Sequence, residues 1–394
     1  MTAAAPLLDP RVITGGEAVA EAMRQIDPDV VPVYPITPQT PMIQGFARFV
    51  ADGRAHGEIV NVESEHSAMS AAIGSALAGA RTITATSSQG LALMAEVLYI
   101  AAAMRAPIVM GVGNRALSGP INIHCDHSDS MLVRDSGAIQ LFAENAQEAY
   151  DLLLMAPRIA EHPDVLLPVL VCQDGFTITH SAEPVVLLPD EDVRDFVGEY
   201  RVPSPLLDVA HPTSQGPFAM PDSYFELRYQ QVAAMAAAGR VFAAVAREFQ
   251  ALSGRRYRLV DPYRLADADV AIVCLGSTGG TVKDVVDELR RERHRVGLLE
   301  IRSFRPLPTA RIRGALRGVS TVAVLDRADS PGGIPALAAE VAAALRGTPP
   351  EIRSYVYGLG GRDLHPGGIR DVFLDELPGT RTRYLGLKGT PCRA

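Results

Sequence analysis

Short, almost wholly apolar runs alternate with longer helical patterns along the first part of the chain. The apolar runs predict strands at 29–34, 58–62, 81–85, 108–112 and 165–172, and the stretches between them predict helices at 64–80, 89–104 and 147–161. These strands are apolar throughout rather than at alternate positions, which is typical of strands covered on both faces. The alternation therefore predicts a mostly parallel sheet with helices on both faces.

The pattern changes between residues 183 and 221, where seven prolines fall. Because proline has no N–H to donate, this density predicts an extended linker over the surface, followed by a long helix at 230–251. A second series then predicts strands at 270–275, 295–301 and 319–326, and helices at 281–293 and 334–346. We therefore predict an α/β protein with two mostly parallel, open-sheet domains at 1–182 and 263–394, joined by a linker and long helix at 183–262.

Composition narrows the class of protein. The 394 residues are 47% hydrophobic and 21% charged, with a net charge of −8, which suits a packed globular chain. No basic run stands out, so we expect no nucleic-acid partner. No apolar run is long enough to cross a bilayer, and residues 1–12 lack the basic flank and apolar core of a signal peptide, so we expect no membrane partner and a cytoplasmic location.

The four cysteines, Cys125, Cys172, Cys274 and Cys392, are scattered and form no C-x-x-C pair. Iron–sulfur clusters are held by several thiolates, commonly in closely spaced pairs, so we expect no cluster on this chain. The apolar surroundings of Cys172 and Cys274 predict buried strand thiols, and a disulfide framework is not expected.

Two segments at strand ends carry candidate chemistry. Residues 34–41, Tyr-Pro-Ile-Thr-Pro-Gln-Thr-Pro, form a rigid loop in which Thr37 and nearby N–H groups could hold an anionic oxygen; a plain proline-rich turn is an equal alternative. In Glu63-Ser64-Glu65-His66, Ser64 could cap a helix whose N-terminal dipole the acids complement. The functional alternative is that Glu65 shares a proton with a ring nitrogen of a cofactor.

Three further segments are weaker signals. Arg115 follows a strand and could bind a carboxylate in a bidentate fork, or could pair with Asp126 or Asp129. His124-Cys125-Asp126-His127 are all metal-ligand types, but adjacent residues point to opposite sides, so a pocket-lining loop is favoured over a metal site. Residues 276–280, Gly-Ser-Thr-Gly-Gly, lack the full phosphate-binding pattern, and a tight βα turn is favoured.

Taken together, these segments resemble the α subunit of the 2-oxoacid:ferredoxin oxidoreductases, the pyruvate:ferredoxin oxidoreductase family. The resemblance rests on segments in the same order along most of the chain, namely 34–38, 63–66, 86–90, 114–123, 134–137, 143–145, 147–149, 174–176, 276–277 and 302–308. It implies a pyrimidine-binding domain followed by a domain similar to the C-terminal domain of transketolase, in a thiamine diphosphate enzyme of which this chain is one subunit.

The resemblance also implies roles for particular residues. Glu65 would hydrogen-bond the pyrimidine ring nitrogen of thiamine diphosphate and favour its imino tautomer, and Thr37 and Arg115 would hold the carboxylate of a 2-oxo acid. The product would be an acyl-coenzyme A, formed with release of carbon dioxide. The family's Gly-Asp-Gly motif for diphosphate and magnesium is absent here, where Gln173-Asp174-Gly175 stands nearest to it.

Partner subunits would therefore complete the enzyme. A β subunit would carry the diphosphate and Mg²⁺ site, and γ and ferredoxin-like subunits would carry the iron–sulfur clusters. The electron acceptor would be ferredoxin, or NAD through a flavin subunit. The missing Gly-Asp-Gly motif also speaks against a complete, stand-alone thiamine enzyme. A non-catalytic α/β module that binds another anion is the alternative of a different class.

One departure bears on the substrate. Pyruvate-type chains often have a tryptophan after Pro-Ile-Asn-Ile, whereas this chain has His124 there and contains no tryptophan. We expect His124 to line the substrate pocket beside Arg115. The 2-oxo acid is therefore pyruvate or a larger acid such as phenylglyoxylate or 2-oxoisovalerate.

Overall fold

The computed structural model describes residues 9–379 and 381–389, so residues 1–8 and Cys392 lie outside the described part. The strands are β1 (Arg11–Thr14), β2 (Val30–Val33), β3 (Glu58–Asn61), β4 (Ile83–Thr86), β5 (Val109–Asn114), β6 (Ile139–Phe142), β7 (Val169–Asp174), β8 (Ala182–Val185), β9 (Val260–Tyr263), β10 (Val270–Cys274), β11 (Val296–Ile301), β12 (Ser303–Arg305), β13 (Thr321–Asp326), β14 (Glu351–Val356) and β15 (Arg383–Tyr384).

The helices of the described residues lie between these strands and cover them. They are α1 (Gly15–Ile26), α2 (Thr40–Ala51), α3 (Glu65–Ala78), α4 (Ser88–Ala103), α5 (Ser128–Leu132), α6 (Ala146–Ala160), α7 (Asp190–Val197), α8 (Tyr224–Ser253), α9 (Thr278–Arg291), α10 (Thr309–Ala315), α11 (Ala336–Ala344) and α12 (Pro366–Leu374). None of them is both long enough and apolar enough to span a bilayer.

Two mostly parallel sheets organise the fold. The first has the strand order β12-β6-β7-β5-β4, in which only β12 is antiparallel; β2 and β3 form a parallel pair that a single bridge from Val30 to Thr82 connects to the start of β4. The second has the order β15-β14-β13-β10-β11-β9, in which only β9 is antiparallel. The predicted class, an α/β fold with two mostly parallel open sheets, is confirmed.

The fully apolar strands explain why this class could be predicted. Every residue of β4, β5, β6 and β7 is buried, as is every residue of β11. Cys172 in β7 and Cys274 in β10 are buried free thiols, as the sequence predicted. Cys125 is also buried and free.

The proline-rich segment differs from the prediction at its start. Instead of an unpaired linker over the surface from residue 183, the chain forms β8, which pairs antiparallel with β1, and then α7, whose Val193 is fully buried. Prolines fit here because Pro184 lies in a two-stranded pair and Pro189 precedes the first turn of α7, where no N–H is needed. Residues 198–223 contain no helix or strand, and α8 is longer at both ends than predicted. The division at 1–182, 183–262 and 263–394 stays a prediction.

Several elements were missed because their apolar runs are short or interrupted. They include α1, which has a Thr14–Glu17 capping box at its start, and β12, a three-residue strand. The position of β12 matters most, because this strand from the second half of the chain pairs with β6 and so extends the first sheet. The two halves are therefore joined by backbone hydrogen bonds as well as by side chains.

A buried carboxylate, Asp174, connects the carboxyl end of β7 to the second half of the chain. Its Oδ1 lies 2.7 Å from His127 Nε2, while Oδ2 accepts hydrogen bonds from Arg327 Nη1 at 2.7 Å and Ser277 Oγ at 2.6 Å. Burial opposes ionisation of Asp174, but the charges of His127 and Arg327 lower its pKa below the usual value. Because Ser277 follows β10 and Arg327 follows β13, their contacts with Asp174 fix the ends of β7, β10 and β13 relative to one another.

Arg302, directly after β11, makes a second side-chain contact between the two halves of the chain. Its Nη2 donates to Glu148 Oε1 of α6 at 2.5 Å, and its Nη1 donates to Asp261 Oδ2 of β9 at 2.5 Å. Arg302 is only 2% exposed, so this contact between the two halves is shielded from water.

Replacing Arg327 with methionine should lower the free energy of unfolding by about 3–5 kcal/mol, because the buried Asp174 would lose its arginine partner and keep only His127. Chemical denaturation at pH 7 measures this change. The matched control is Arg370→Met, which removes a 2.6 Å pair with Glu292 in which both side chains are about a third or more exposed. That variant should lose no more than about 1 kcal/mol.

The pH dependence gives a second check. Because the folded pKa of Asp174 is lowered, its ionised form stabilises the fold above the unfolded pKa of about 3.9 and this stabilisation is lost as the pH falls through the folded value. The gap in unfolding free energy between the wild type and Arg327→Met should therefore shrink below about pH 4. If Arg327→Met and Arg370→Met lose the same free energy of unfolding at pH 7, the role given to Asp174 is contradicted.

Candidate functional site

Four loops leave the carboxyl ends of neighbouring parallel strands at one edge of the first half. Thr37 follows β2, Glu65 follows β3, the pair Ser87 and Ser88 follows β4, and Arg115 follows β5. The carboxyl edge of an open α/β sheet is where such folds bind ligands. The three candidate residues from the sequence, Thr37, Glu65 and Arg115, thus lie along the same edge.

Glu65 is the first residue of α3 and is 6% exposed. Ser64 caps the helix, since its hydroxyl accepts the N–H of Ser67 at 3.2 Å. The Glu65 side chain lies directly against Gly90 in the first turn of α4: a Cβ added to Gly90 would be 2.7 Å from Glu65 Oε1. Only glycine at residue 90 leaves the carboxylate its present position.

Arg115 and Thr37 are brought together. The Arg115 guanidinium donates from Nη1 to the backbone oxygen of Thr37 at 2.8 Å and from Nε to that of Asn122 at 3.1 Å. Among the described residues, no hydrogen bond is found for Nη2. Arg115 is 7% exposed, and burial lowers its pKa, although an arginine stays charged. The Thr37 residue itself is exposed at the edge.

Asp129 holds the loops after β4 and β5 in place. Its carboxylate is fully buried and accepts the backbone N–H groups of Ser88 and Arg115, both at 3.0 Å, and the side-chain amide of Asn114 at 2.8 Å. Burial raises the pKa of Asp129 to about 6, against the effect of these hydrogen bonds. The sequence pointed to Asp129 only as an ion-pair partner of the Arg115 side chain, whereas the structure has it bind the Arg115 backbone.

His124 lies on an exposed part of the loop that follows Arg115. Its backbone oxygen accepts the N–H of Ala116 at 3.0 Å, and its ring centroid is 5.0 Å from that of Phe176. A Cβ added to Gly361 would be 2.3 Å from His124 Cβ, so the loop packs against the second half of the chain. Its part in substrate choice stays a prediction.

The rest of that loop contains Cys125 and His127, which lie close to Asp174. Atoms of Cys125, His127 and Asp174 come within 4.8 Å of one another, which is close enough for a shared metal ion. However, His127 and Asp174 are bonded directly to each other, and Arg327 and Ser277 take the other oxygen of Asp174. The cluster is therefore already satisfied as a hydrogen-bonded network.

Ser277 belongs to the glycine-rich turn at 276–280. Both its N–H and its hydroxyl donate to Asp174, at 3.2 and 2.6 Å. These are donors that a phosphate would need, so the turn serves the contact between the two halves.

Several buried polar atoms at this edge have no partner among the described residues. They are Gln39 Oε1, Thr86 Oγ1, Ser87 Oγ and Asn114 Oδ1. Buried polar groups are nearly always hydrogen-bonded in folded proteins. These four atoms lie at the edge that holds Glu65 and Arg115, where a polar ligand could pair with them, whereas others such as Gln140 Oε1 and Arg353 Nε lie on β6 and β14. In the sequence, Thr86 and Ser87 stand directly after an apolar run, and all three of Thr86, Ser87 and Asn114 lie in segments, 86–90 and 114–123, that carry the resemblance.

Known proteins are similar to this chain along most of its length. A family model described as "Pyruvate flavodoxin/ferredoxin oxidoreductase, thiamine diP-bdg" matches residues 21–247, and "Pyruvate:ferredoxin oxidoreductase core domain II" matches residues 268–369. The chain is 56% identical to pyruvate synthase subunit PorA of Thermotoga maritima over 382 residues, which cover 95% of this chain and 97% of the relative.

One further relative and one solved structure are named for other 2-oxo acids. Ketoisovalerate oxidoreductase subunit VorA of Pyrococcus horikoshii is 41% identical over 365 residues, covering 92% of this chain and 91% of the relative. The structure of 2-oxoglutarate:ferredoxin oxidoreductase from Magnetococcus marinus, with 2-oxoglutarate, coenzyme A and succinyl-CoA bound, superposes with a TM-score of 0.71. It covers 94% of this chain and 67% of that one, and at 21% identity it shows the fold alone.

Replacing Asp129 with asparagine should destabilise the edge, because one acceptor oxygen becomes an N–H₂ group that faces N–H donors. We expect a loss of about 1–3 kcal/mol in the free energy of unfolding, measured by chemical denaturation. Hydrogen exchange at the Ser88 and Arg115 amides should accelerate more than exchange in β13. Unchanged exchange at both amides would show that Asp129 does not hold the two loops.

Proposed function

Because the chain belongs to the pyruvate:ferredoxin oxidoreductase family and is a subunit of an oxidoreductase, we propose that it provides the pyrimidine side of a thiamine diphosphate site. The reaction is the oxidative decarboxylation of a 2-oxo acid with coenzyme A to acyl-coenzyme A and carbon dioxide. The two electrons released pass to ferredoxin, or to NAD through a flavin subunit. The proposal rests above all on the Glu65 carboxylate, buried at the sheet edge in the space that Gly90 leaves free.

The residues of the edge fit the pyrimidine end of the cofactor. Glu65 offers a carboxylate that is almost fully buried at this edge, and the nearby unpartnered Thr86 hydroxyl is a further polar group for a heteroaromatic ring. They do not fit the magnesium diphosphate end. Asp174, in the tripeptide closest to Gly-Asp-Gly, is fully committed to His127, Ser277 and Arg327.

This division of groups supports a multi-subunit enzyme. We place the diphosphate and Mg²⁺ on a β subunit, and the iron–sulfur clusters on γ and ferredoxin-like subunits. The described cysteines, Cys125, Cys172 and Cys274, are buried, and burial raises the pKa of each thiol well above its usual value. Protonated thiols are poor cluster ligands. A cytoplasmic location stays the expectation from the sequence.

Thiamine diphosphate supplies, when bound, a carbon nucleophile and an electron sink for decarboxylation. The task of Glu65 is to hold a proton at the pyrimidine ring nitrogen, which favours the imino tautomer. Arg115 and Thr37 hold the carboxylate of the 2-oxo acid at the neighbouring loop. Since Asp129 fixes the Arg115 backbone, the carboxylate is held in one orientation, and orientation is a large part of what such residues contribute.

Replacing Glu65 with glutamine should leave the fold intact and lower kcat for 2-oxo acid oxidation by about 10²–10⁴-fold, the usual contribution of a positioned acid or base. The measurement is turnover of the complex with partner subunits at saturating cofactor. Glu63→Gln is the matched control, because Glu63 lies two residues away, is exposed and accepts a hydrogen bond from Ser67. Turnover of Glu65→Gln within twofold of Glu63→Gln would remove Glu65 from this role.

Substrate choice can be tested at His124. Replacing it with tryptophan should shift kcat/KM toward pyruvate and away from 2-oxoisovalerate and phenylglyoxylate, because a larger ring beside Phe176 leaves less room for the substrate side chain. Discrimination of about 1–3 kcal/mol per methylene corresponds to a shift of about 10- to 200-fold. A parallel change for all three acids would assign His124 to the contact with Gly361 instead.

A further inference from the structure

Thr86, the last residue of β4, carries a hydroxyl that the fold does not use. The residue is fully buried, and its Oγ1 has no hydrogen-bond partner among the described residues. Two residues earlier on the same face of the strand, the hydroxyl of Thr84 is satisfied, since it donates to the backbone oxygen of Pro32 at 2.7 Å. The contrast indicates that β4 can satisfy a threonine hydroxyl where the fold requires it.

The unused hydroxyl lies on the same side of Gly90 as the Glu65 carboxylate. A Cβ added to Gly90 would lie 2.4 Å from Thr86 Oγ1 and 2.7 Å from Glu65 Oε1, so both oxygens border the same small space. The next residue, Ser87, faces elsewhere: its Oγ lies 3.2 Å from the position of a Cβ on Gly113. Alternation along the strand thus directs the Thr86 hydroxyl, and not that of Ser87, toward Glu65.

We propose that Thr86 is a second binding residue for the pyrimidine half of thiamine diphosphate, and that its hydroxyl makes a hydrogen bond there beside Glu65. This rests on the proposed function. The absence of a Cβ at Gly90 keeps both side chains in place, so that one carboxylate and one hydroxyl address the same heteroaromatic ring. A hydroxyl can donate or accept, which suits a ring that carries both ring nitrogens and an amino group.

The test uses the complex with its partner subunits, freed of cofactor, and isothermal titration with thiamine diphosphate and Mg²⁺. Thr86→Val should weaken binding about threefold to tenfold, the value of one ordinary hydrogen bond. Thr86→Ser, which keeps the hydroxyl, should bind within about twofold of the wild type. The matched control is Thr84→Val, which should lower the thermal midpoint of the cofactor-free complex without changing the dissociation constant.

The outcomes separate this inference from the proposed function. If the wild-type complex does not bind thiamine diphosphate, the proposed function itself is wrong. If it binds and Glu65→Gln weakens binding while Thr86→Val does not, the proposed function stands and the role of Thr86 is overturned. A Thr86→Ser variant as weak as Thr86→Val would also overturn it. So would a loss of thermal midpoint in cofactor-free Thr86→Val equal to that in Thr84→Val, because the hydroxyl would then serve the fold.

Discussion

The buried carboxylate of Asp174 is the constraint on which the arrangement of the two halves depends. A lone carboxylate at the end of a fully buried strand would be unfavourable, and the fold resolves this by bringing Arg327 and Ser277 from the second half against it. That requirement sets how the ends of β7, β10 and β13 meet. The loop that contains His127 is fixed by the same carboxylate, and this loop continues from Arg115.

Buried polar groups in this protein fall into two kinds. Asp129, Asp174 and Arg302 are saturated by neighbours, and they hold backbone segments or the two halves together. Thr86 and Ser87, in contrast, are buried without partners. The groups whose hydrogen bonds are all made within the protein stabilise the fold, since a ligand could bind them only by breaking those bonds. At this edge the groups without partners lie beside residues that follow β2, β3 and β5, and it is this position that makes them candidates for binding a ligand.

The proposed division of the site between subunits is supported by the same distinction between groups with and without hydrogen-bond partners. The chain offers a carboxylate, a hydroxyl and a partly free guanidinium at one edge, which suits an uncharged ring and a substrate carboxylate. Asp174, in the tripeptide that comes closest to the Gly-Asp-Gly motif, is already paired with Arg327. This distribution supports the proposal that the chain binds one end of an extended cofactor and that a partner subunit binds the other end.

The sequence was sufficient to predict the α/β class and to place Thr37, Glu65 and Arg115 at strand ends. An apolar run and the residues that follow it are consecutive in the sequence, so no tertiary contact is needed to recognise them. The sequence also carried the resemblance to the family. It did not reveal that β12 joins the first sheet, nor that α7 packs against α1, because short elements have weak local patterns.

Only the tertiary structure determined which polar side chains are hydrogen-bonded within the protein and which are left without a partner. The partners of Asp174 lie up to 153 residues away along the chain, and Glu65 meets Gly90 only through the packing of α3 against α4. A hydrogen bond is satisfied by whatever lies within about 3 Å in space. Sequence spacing does not report that distance between separate strands, and only the folded chain brings those atoms together.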